Sequence, residues 1–164
     1  MILDSERLNF RFFKRKDKSR LINLLNDNTV SRLMDNIPFP YLEKHANWWI
    51  ETGSKKKYQF AMILKKSNQL IGSLKISLNG EIGCWVGAKY FNQNFATEAI
   101  EKIKKFALEE LKLDLLWAST HKNNYASFRL MQKTGFSRVE DKPYYVQGIG
   151  DTKIRPHFEL VNRP

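Results

Sequence analysis

The stretch Glu81-Ile82-Gly83-Cys84-Trp85-Val86-Gly87-Ala88-Lys89-Tyr90-Phe91-Asn92-Gln93-Asn94-Phe95-Ala96-Thr97-Glu98 decides how the rest of the chain is read. Its first six residues are strand-like and follow Asn79-Gly80, a two-residue turn signal for a hairpin. Its end opens the longest helix, about Ala96 to Lys112. There Ala96, Ala99, Ile100, Ile103, Ala107 and Leu111 recur at helical spacing, with Glu and Lys on the other face. A helix start carries unsatisfied backbone N–H groups and the positive end of the dipole, so the junction can hold a phosphate. Close backbone approach needs residues that tolerate the left-handed region, and Asn92 and Asn94 do so better than most non-glycines. Thr97 adds a hydroxyl. Taken alone, an ordinary helix start with loop asparagines accounts for the segment as well, so the flanking sequence has to decide.

Upstream, Leu8, Phe10 and Phe12 alternate with Asn9 and Arg11, which predicts a first strand over about 6–13. Leu21, Leu24 and Leu25 give helical spacing within 17–34, and Pro38 and Pro40 break it. Leu42–Thr52 reads as a second helix closed by Gly53; Tyr58–Lys65 and Leu70–Leu78 read as strands joined by residues 66–69. Downstream come a short strand at Leu115–Ser119 and a helix at Asn124–Thr134 capped by Gly135. Strands around Val139–Val146 and Thr152–Leu160 close the chain. The order predicts an α+β fold: a mixed, mostly antiparallel twisted sheet of about 6–7 strands flanked by about four helices. At 164 residues the chain is expected to form a single domain over 1–164.

With 28 Lys+Arg against 17 Asp+Glu, the chain carries +11. That balance suits anionic partners such as nucleic acid, phosphorylated cofactors or membrane surfaces, or else a solvated lysine-rich face. Residues 1–20 hold seven basic and three acidic residues, and 55–75 hold six basic and none acidic, so the excess points to an acidic macromolecular partner or a solvated surface. A nucleic-acid-binding module is the competing class, but no such motif occurs and the basic residues do not track one helix. One cysteine, no apolar leader and no long apolar run predict a cytoplasmic protein, monomeric or homodimeric, with no membrane contact. Cys84 lies mid-strand without a partner base, so packing is its expected role. His45, His121 and His157 lack ligand spacing, so no metal is expected; only His121, after the Leu115–Ser119 strand, lies near the expected acceptor side.

The segment 81–98, followed by Asn124-Tyr125-Ala126-Ser127 and Lys133-Thr134-Gly135-Phe136, resembles the GNAT N-acetyltransferases, and most of all the branch that acetylates ribosomal-protein N-termini. The likeness begins at Ser5-Glu6-Arg7-Leu8-Asn9-Phe10-Arg11 and covers nearly the whole chain. It implies the GNAT fold and transfer of acetyl from acetyl-CoA, with coenzyme A in a splayed gap, to a primary amine on a protein N-terminus or small molecule. Carried over, backbone of Cys84, Trp85 and Val86 pairs with the pantetheine arm. Amides of Asn92, Gln93, Asn94, Phe95, Ala96 and Thr97 hold the pyrophosphate; Asn124, Phe128 and Lys133 line the cofactor. The loop departs from the family by placing asparagines where glycines are usual, which predicts weakened or reshaped cofactor binding rather than its loss. A backbone N–H at Trp85 or Val86 is to hold the oxyanion, and Ser127 to protonate the leaving sulfur, since Met131 stands where many relatives have tyrosine. Glu81 is the candidate base, with a water chain as its alternative. Phe39, Tyr41 and Trp48 are the candidate acceptor contacts. A GNAT-like domain that binds coenzyme A without catalysis remains the second reading.

Overall fold

The computed structural model describes residues 3–56 and 58–162; Lys57 of the basic run lies outside them. A two-residue strand β1 (Leu3–Asp4) pairs antiparallel with β2 (Leu8–Arg11), where fully buried Leu8 and Phe10 alternate with half-buried Asn9 and Arg11. β2 is shorter than the expected 6–13 because Phe13 turns out of the strand into a second core, edge-on to Trp49 at 5.7 Å. Arg11 grips the buried carboxylate of Asp17 at 2.7 and 2.8 Å, which fixes the entry to α1 (Lys18–Leu25). A short α2 (Asn28–Ser31) follows, then α3 (Glu43–Trp48), whose wider last turns run on through Gly53.

β3 (Gln59–Leu64), β4 (Gln69–Ile76) and β5 (Ile82–Val86) complete a five-stranded antiparallel sheet in the order β1-β2-β3-β4-β5. Ile71 is an extra residue between the Met62↔Gly72 and Ile63↔Leu70 pairs, a bulge in β4. Asn79-Gly80 makes the expected turn, with Gly80 at φ +87°. The long helix α4 (Phe95–Glu109) buries Phe95, Ala99, Ile100, Ile103, Phe106 and Ala107 and stops short of Lys112, which sits at φ 54°. β6 (Leu115–Ser119), α5 (Tyr125–Lys133), β7 (Ser137–Val146) and β8 (Asp151–Val161) finish the chain, and β6-β8-β7 is a second antiparallel sheet. The α+β architecture is as expected. Among the described residues there are eight strands and five α-helices, since β1 and α2 are too short to show a period.

The two sheets face each other through the parallel neighbours β5 and β6, which touch in one bridge, Glu81↔Trp117, and pair nowhere beyond it among the described residues. Beyond that bridge the facing edges of β5 and β6 carry no ladder between them among the described residues, the arrangement that the expected splayed gap requires. Side-chain alternation assigns its faces. Ile82, Cys84, Val86, Leu116, Ala118 and Phe158 join the core under α4 and α5. Glu81, Trp85, Trp117, Ser119, His157 and Glu159 lie on the opposite face, where Trp85 packs on the second core of α1 and α3.

Candidate active site

The backbone that lines the gap follows from the β4·β5 register. Ser77 N donates to Glu81 O at 3.0 Å and Gly87 N to Ile71 O at 2.8 Å. In an antiparallel ladder bonded pairs alternate, so the odd-numbered residues of β5 exchange hydrogen bonds with β4. The N–H and C=O of Cys84 and Val86 thus point into the gap, whereas those of Trp85 face β4. Of the two amides expected to hold an oxyanion, Val86 is open and Trp85 is committed. Gly72 permits this close seating: a Cβ there would lie 2.1 Å from Trp85 O and 3.0 Å from Val86 Cα. Desolvation pushes the Cys84 thiol up to about 12, which fits packing and not nucleophilic chemistry.

Below the gap, the loop into α4 turns through Asn92 at φ 58° and Asn94 at φ 62°. Both asparagines take the left-handed conformation that glycine would otherwise supply, and Asn94 is the helix N-cap. Glu98 N is the first to bond within the helix, to Asn94 O at 3.0 Å; the amides of Phe95, Ala96 and Thr97 have no partner among the described residues. Lys133 Nζ donates to Asn94 Oδ1 at 2.9 Å, so α5 adds a cation beside the cradle.

A residue set that the sequence reading missed anchors this cradle. Glu98 accepts from Arg7 N, Arg7 Nε and Ser5 Oγ, each at 2.7 Å, and Arg7 Nη1 reaches Gln93 O at 3.1 Å. The Arg7 guanidinium also lies over the Phe95 ring at 4.3 Å. Burial alone would raise the Glu98 carboxyl, but the Arg7 N–H, the Ser5 hydroxyl and the guanidinium outweigh it and hold its pKa below the ordinary value. Only the conjunction of Ser5 and Arg7 with an acidic residue in the first helical turn could have signalled this.

Asn124 caps α5, its Oδ1 accepting from Ser127 N at 3.1 Å. The Ser127 side chain is half-buried, and its Oγ is hydrogen-bonded to none of the described residues. Phe128 packs edge-on to Tyr125 at 5.7 Å and against Phe158 at 5.4 Å, so its ring helps close the α5 face of the core.

On the other face, Glu81 Oε1 accepts from Lys75 Nζ at 2.8 Å and from Tyr144 Oη at 3.0 Å. Burial first, then the Glu81 carboxylate, push the Tyr144 phenol up to about 12, so it stays a donor. Ser119 Oγ bonds His157 Nδ1 at 2.9 Å. His157, set aside with the other histidines, is therefore the one that reaches this face; His121 Nδ1 only accepts Asn123 N in the turn before α5. Asp35 pairs with Arg155, and Asn36 Oδ1 accepts Gly148 N at 3.1 Å, so the segment after α2 straps the β7–β8 turn across this side. Phe39 and Trp48 are exposed, at 57% and 59%. Tyr41 corrects the expectation: it is 5% exposed, packed in the second core, with its backbone clamped by both ends of the Asn26 amide at 2.8 Å. Among the described residues no group of three or more His, Cys, Asp or Glu forms a metal site, and no helix is long and apolar enough to cross a membrane.

A strand pair that parts after one bridge and presents open amides, ending at a helix start whose first amides are unpaired, is the architecture of an acyl-CoA-dependent acetyltransferase. The chain belongs to the GNAT acetyltransferases: the family model described as acetyltransferase (GNAT) domain matches residues 7–137. A curated relative from Bacillus subtilis (strain 168), the SPbeta prophage-derived uncharacterized N-acetyltransferase YokL, is 25% identical over 147 residues, spanning 82% of this chain and 83% of its own. A GNAT-family acetyltransferase from Bacillus anthracis superposes with a TM-score of 0.84 at 25% identity, covering 98% of each chain. RimL, a ribosomal α-N-protein acetyltransferase solved in complex with coenzyme A, shares the fold with a TM-score of 0.76 at 15% identity, again over 98% of each chain.

Proposed function

We propose that this protein transfers an acetyl group from acetyl-coenzyme A to a primary amine by direct attack in a ternary complex. The observation that carries the reading is the continuity of free donors: the Cys84 and Val86 edge of β5 leads down to the open amides of Phe95, Ala96 and Thr97. The binding of coenzyme A by RimL, which has the same fold, supports it. Acetyl-coenzyme A supplies an activated acetyl thioester; the chain positions it and moves protons.

In this reading the backbone of Cys84 and Val86 pairs with the pantetheine arm as an added strand, with Trp85 fixing their register from the β4 side. The loop amides from Asn92 and Gln93 through Asn94 to Thr97 hold the pyrophosphate, and Lys133 neutralises part of its charge. Asn124 and Phe128 line the α5 wall. Val86 N–H stabilises the negative charge that develops on the acetyl oxygen. Ser127, whose hydroxyl is uncommitted, gives its proton to the departing sulfur. Glu81 draws the acceptor's ammonium with its Oε2, its other oxygen being held by Lys75 and Tyr144. Phe39 and Trp48 offer exposed aromatic surface to the acceptor.

The test is a melting assay with acetyl-coenzyme A followed by thiol release over a panel of N-terminal peptides and small amines. Protection by the ligand with thiol released by at least one amine is the expected result. Protection without turnover by any amine leaves a coenzyme A-binding domain that does not catalyse, and absence of both overturns the reading. Ser127→Ala should lower kcat at least tenfold with little change in acetyl-coenzyme A affinity; unchanged kcat removes Ser127 from the reaction.

A further inference from the structure

Resting on the acetyl-transfer reading, we propose that Ser119 and His157 form the relay that takes the acceptor amine's proton: Ser119 Oγ receives it from the nitrogen and passes its own to His157 Nδ1. Ser119 stands on β6 two residues past Trp117, the last residue bridged to β5, and so at the point where the gap has opened. Strand alternation puts its side chain on the face of Glu81 and Trp117, the face the acceptor would approach.

The hydrogen bond between Ser119 Oγ and His157 Nδ1 is 2.9 Å. His157 Nε2 faces Glu159 Oε1 at 3.5 Å, and that carboxylate favours the tautomer with its hydrogen on Nε2. Nδ1 is then left as the acceptor of the serine hydroxyl. The ring is stacked on Trp117 with centroids 5.1 Å apart, so its orientation is fixed. Its charged surroundings are Glu159 on its own strand and Lys142 and Arg138 on β7, with Lys142 paired to Glu159. Burial first, then Lys142, hold the imidazole below the ordinary histidine value, with Glu159 opposing and Arg138 assisting. The lowered value favours the neutral ring, the form that can take a proton.

The balance is simple. The acceptor, drawn in as an ammonium, first gives one proton to water. As the resulting amine bonds to the acetyl carbon it sheds a second to Ser119 Oγ, and the Ser119 proton moves to Nδ1, leaving an imidazolium. The carbon–sulfur bond breaks, the sulfur takes the Ser127 proton, Ser127 regains one from water, and His157 returns its proton to water. The products are the acetylated amine and the free thiol.

Two measurements decide it. NMR titration of the histidine rings in the free protein should place the His157 midpoint below 6.5. Lys142→Gln should move that midpoint up, and Ser119→Ala should shift it by removing the hydroxyl. In steady state, Ser119→Ala should lower kcat at least tenfold with the acetyl-coenzyme A KM within twofold, and the acid limb of kcat/KM should follow the His157 midpoint in Lys142→Gln. His157→Gln should lose that limb; a matching circular dichroism spectrum checks its fold, and Ser119→Ala carries the test if it fails. Full activity in Ser119→Ala, or a limb indifferent to Lys142→Gln, overturns the relay. An acetyl mass increment on wild type, absent from Ser119→Ala, would also overturn it by making Ser119 a nucleophile. A wild type that releases no thiol with any amine sinks the acetyl-transfer reading instead, and the relay built on it falls too.

Discussion

Replacing Glu98 by Gln separates the anchor of the phosphate cradle from the cradle itself. The carboxylate receives three hydrogen bonds of 2.7 Å, from Arg7 N, Arg7 Nε and Ser5 Oγ, with 15% of its side chain exposed. A hydrogen bond to a buried charged group contributes about 1.5–3 kcal/mol. The Arg7 side chain is 40% exposed, so its guanidinium share falls towards the roughly 0.2–1 kcal/mol of a surface pair. Glutamine keeps Oε1, which still accepts from Arg7 N and Ser5 Oγ but as a neutral group, and loses the Arg7 Nε bond, which is the ion pair itself. The lost charge assistance at the two retained bonds and the lost pair come to about 2 kcal/mol in all. For a domain of this size the melting temperature falls about 2–4 °C per kcal/mol, which gives about 4–8 °C.

The pH dependence carries a sign. Because the folded pKa of Glu98 lies below its ordinary 4.5, its stabilisation is complete above 4.5 and is lost as the pH falls through the folded value. The gap in melting temperature between wild type and Glu98→Gln is thus full at pH 7 and shrinks as the pH is taken below 4.5. Since Arg7 also holds Gln93 O, the variant should bind coenzyme A about three- to tenfold more weakly by calorimetry, on the order of 1 kcal/mol. A variant melting within 1 °C of wild type at pH 7, or a gap that survives acidification intact, refutes the anchoring argument (roughly, by the same scale).

Asn94→Ala should cost about 1 kcal/mol of stability and weaken coenzyme A binding, because alanine is strained at φ 62° and cannot accept from Lys133, whereas Asn94→Gly should bind at least as well as Asn94→Ala; melting and calorimetry on the pair check it. Trp48→Ala should raise the acceptor KM with melting unchanged, while Tyr41→Ala should remove about 3–5 kcal/mol of stability, a contrast read by paired kinetics and thermal melts.

Which parts were legible follows from how local their causes are. The asparagine loop was readable because left-handed tolerance belongs to the residue itself, and Asn92 and Asn94 do adopt positive φ. The turn at Asn79-Gly80 and the stripe of α4 are likewise set within a few residues. Ser119 and His157, by contrast, meet only because β6 pairs with β8 in the register Ser119↔His157, a fact about strands 38 residues apart. Glu81 and Tyr144 meet over a still longer separation, across the gap that no periodicity announces. Tyr41 misled for a related reason. The resemblance put it among the acceptor contacts, but Asn26 clamps its backbone beside the end of α1 and the ring packs in the second core.

The charge can now be set against the site. Of the basic run 55–75, Lys65 is paired with Asp4 and Lys75 with Glu81, whereas Lys55, Lys56 and Lys66 stay exposed. Lys56 and Lys75 line an open groove beside Glu81, so one carboxylate there faces two cations. Lys133 and Arg7 flank the other end of the gap, near the open α4 amides, where an anion would be stabilised. The two ends therefore differ in what positive charge does. At the cradle it adds to the pull on a phosphate; beside Glu81 it opposes a densely cationic acceptor. Under the acetyl-transfer reading an amine with neutral or acidic surroundings meets less repulsion there than a polyamine. The preference should weaken with added salt, because Lys56 is exposed and screened.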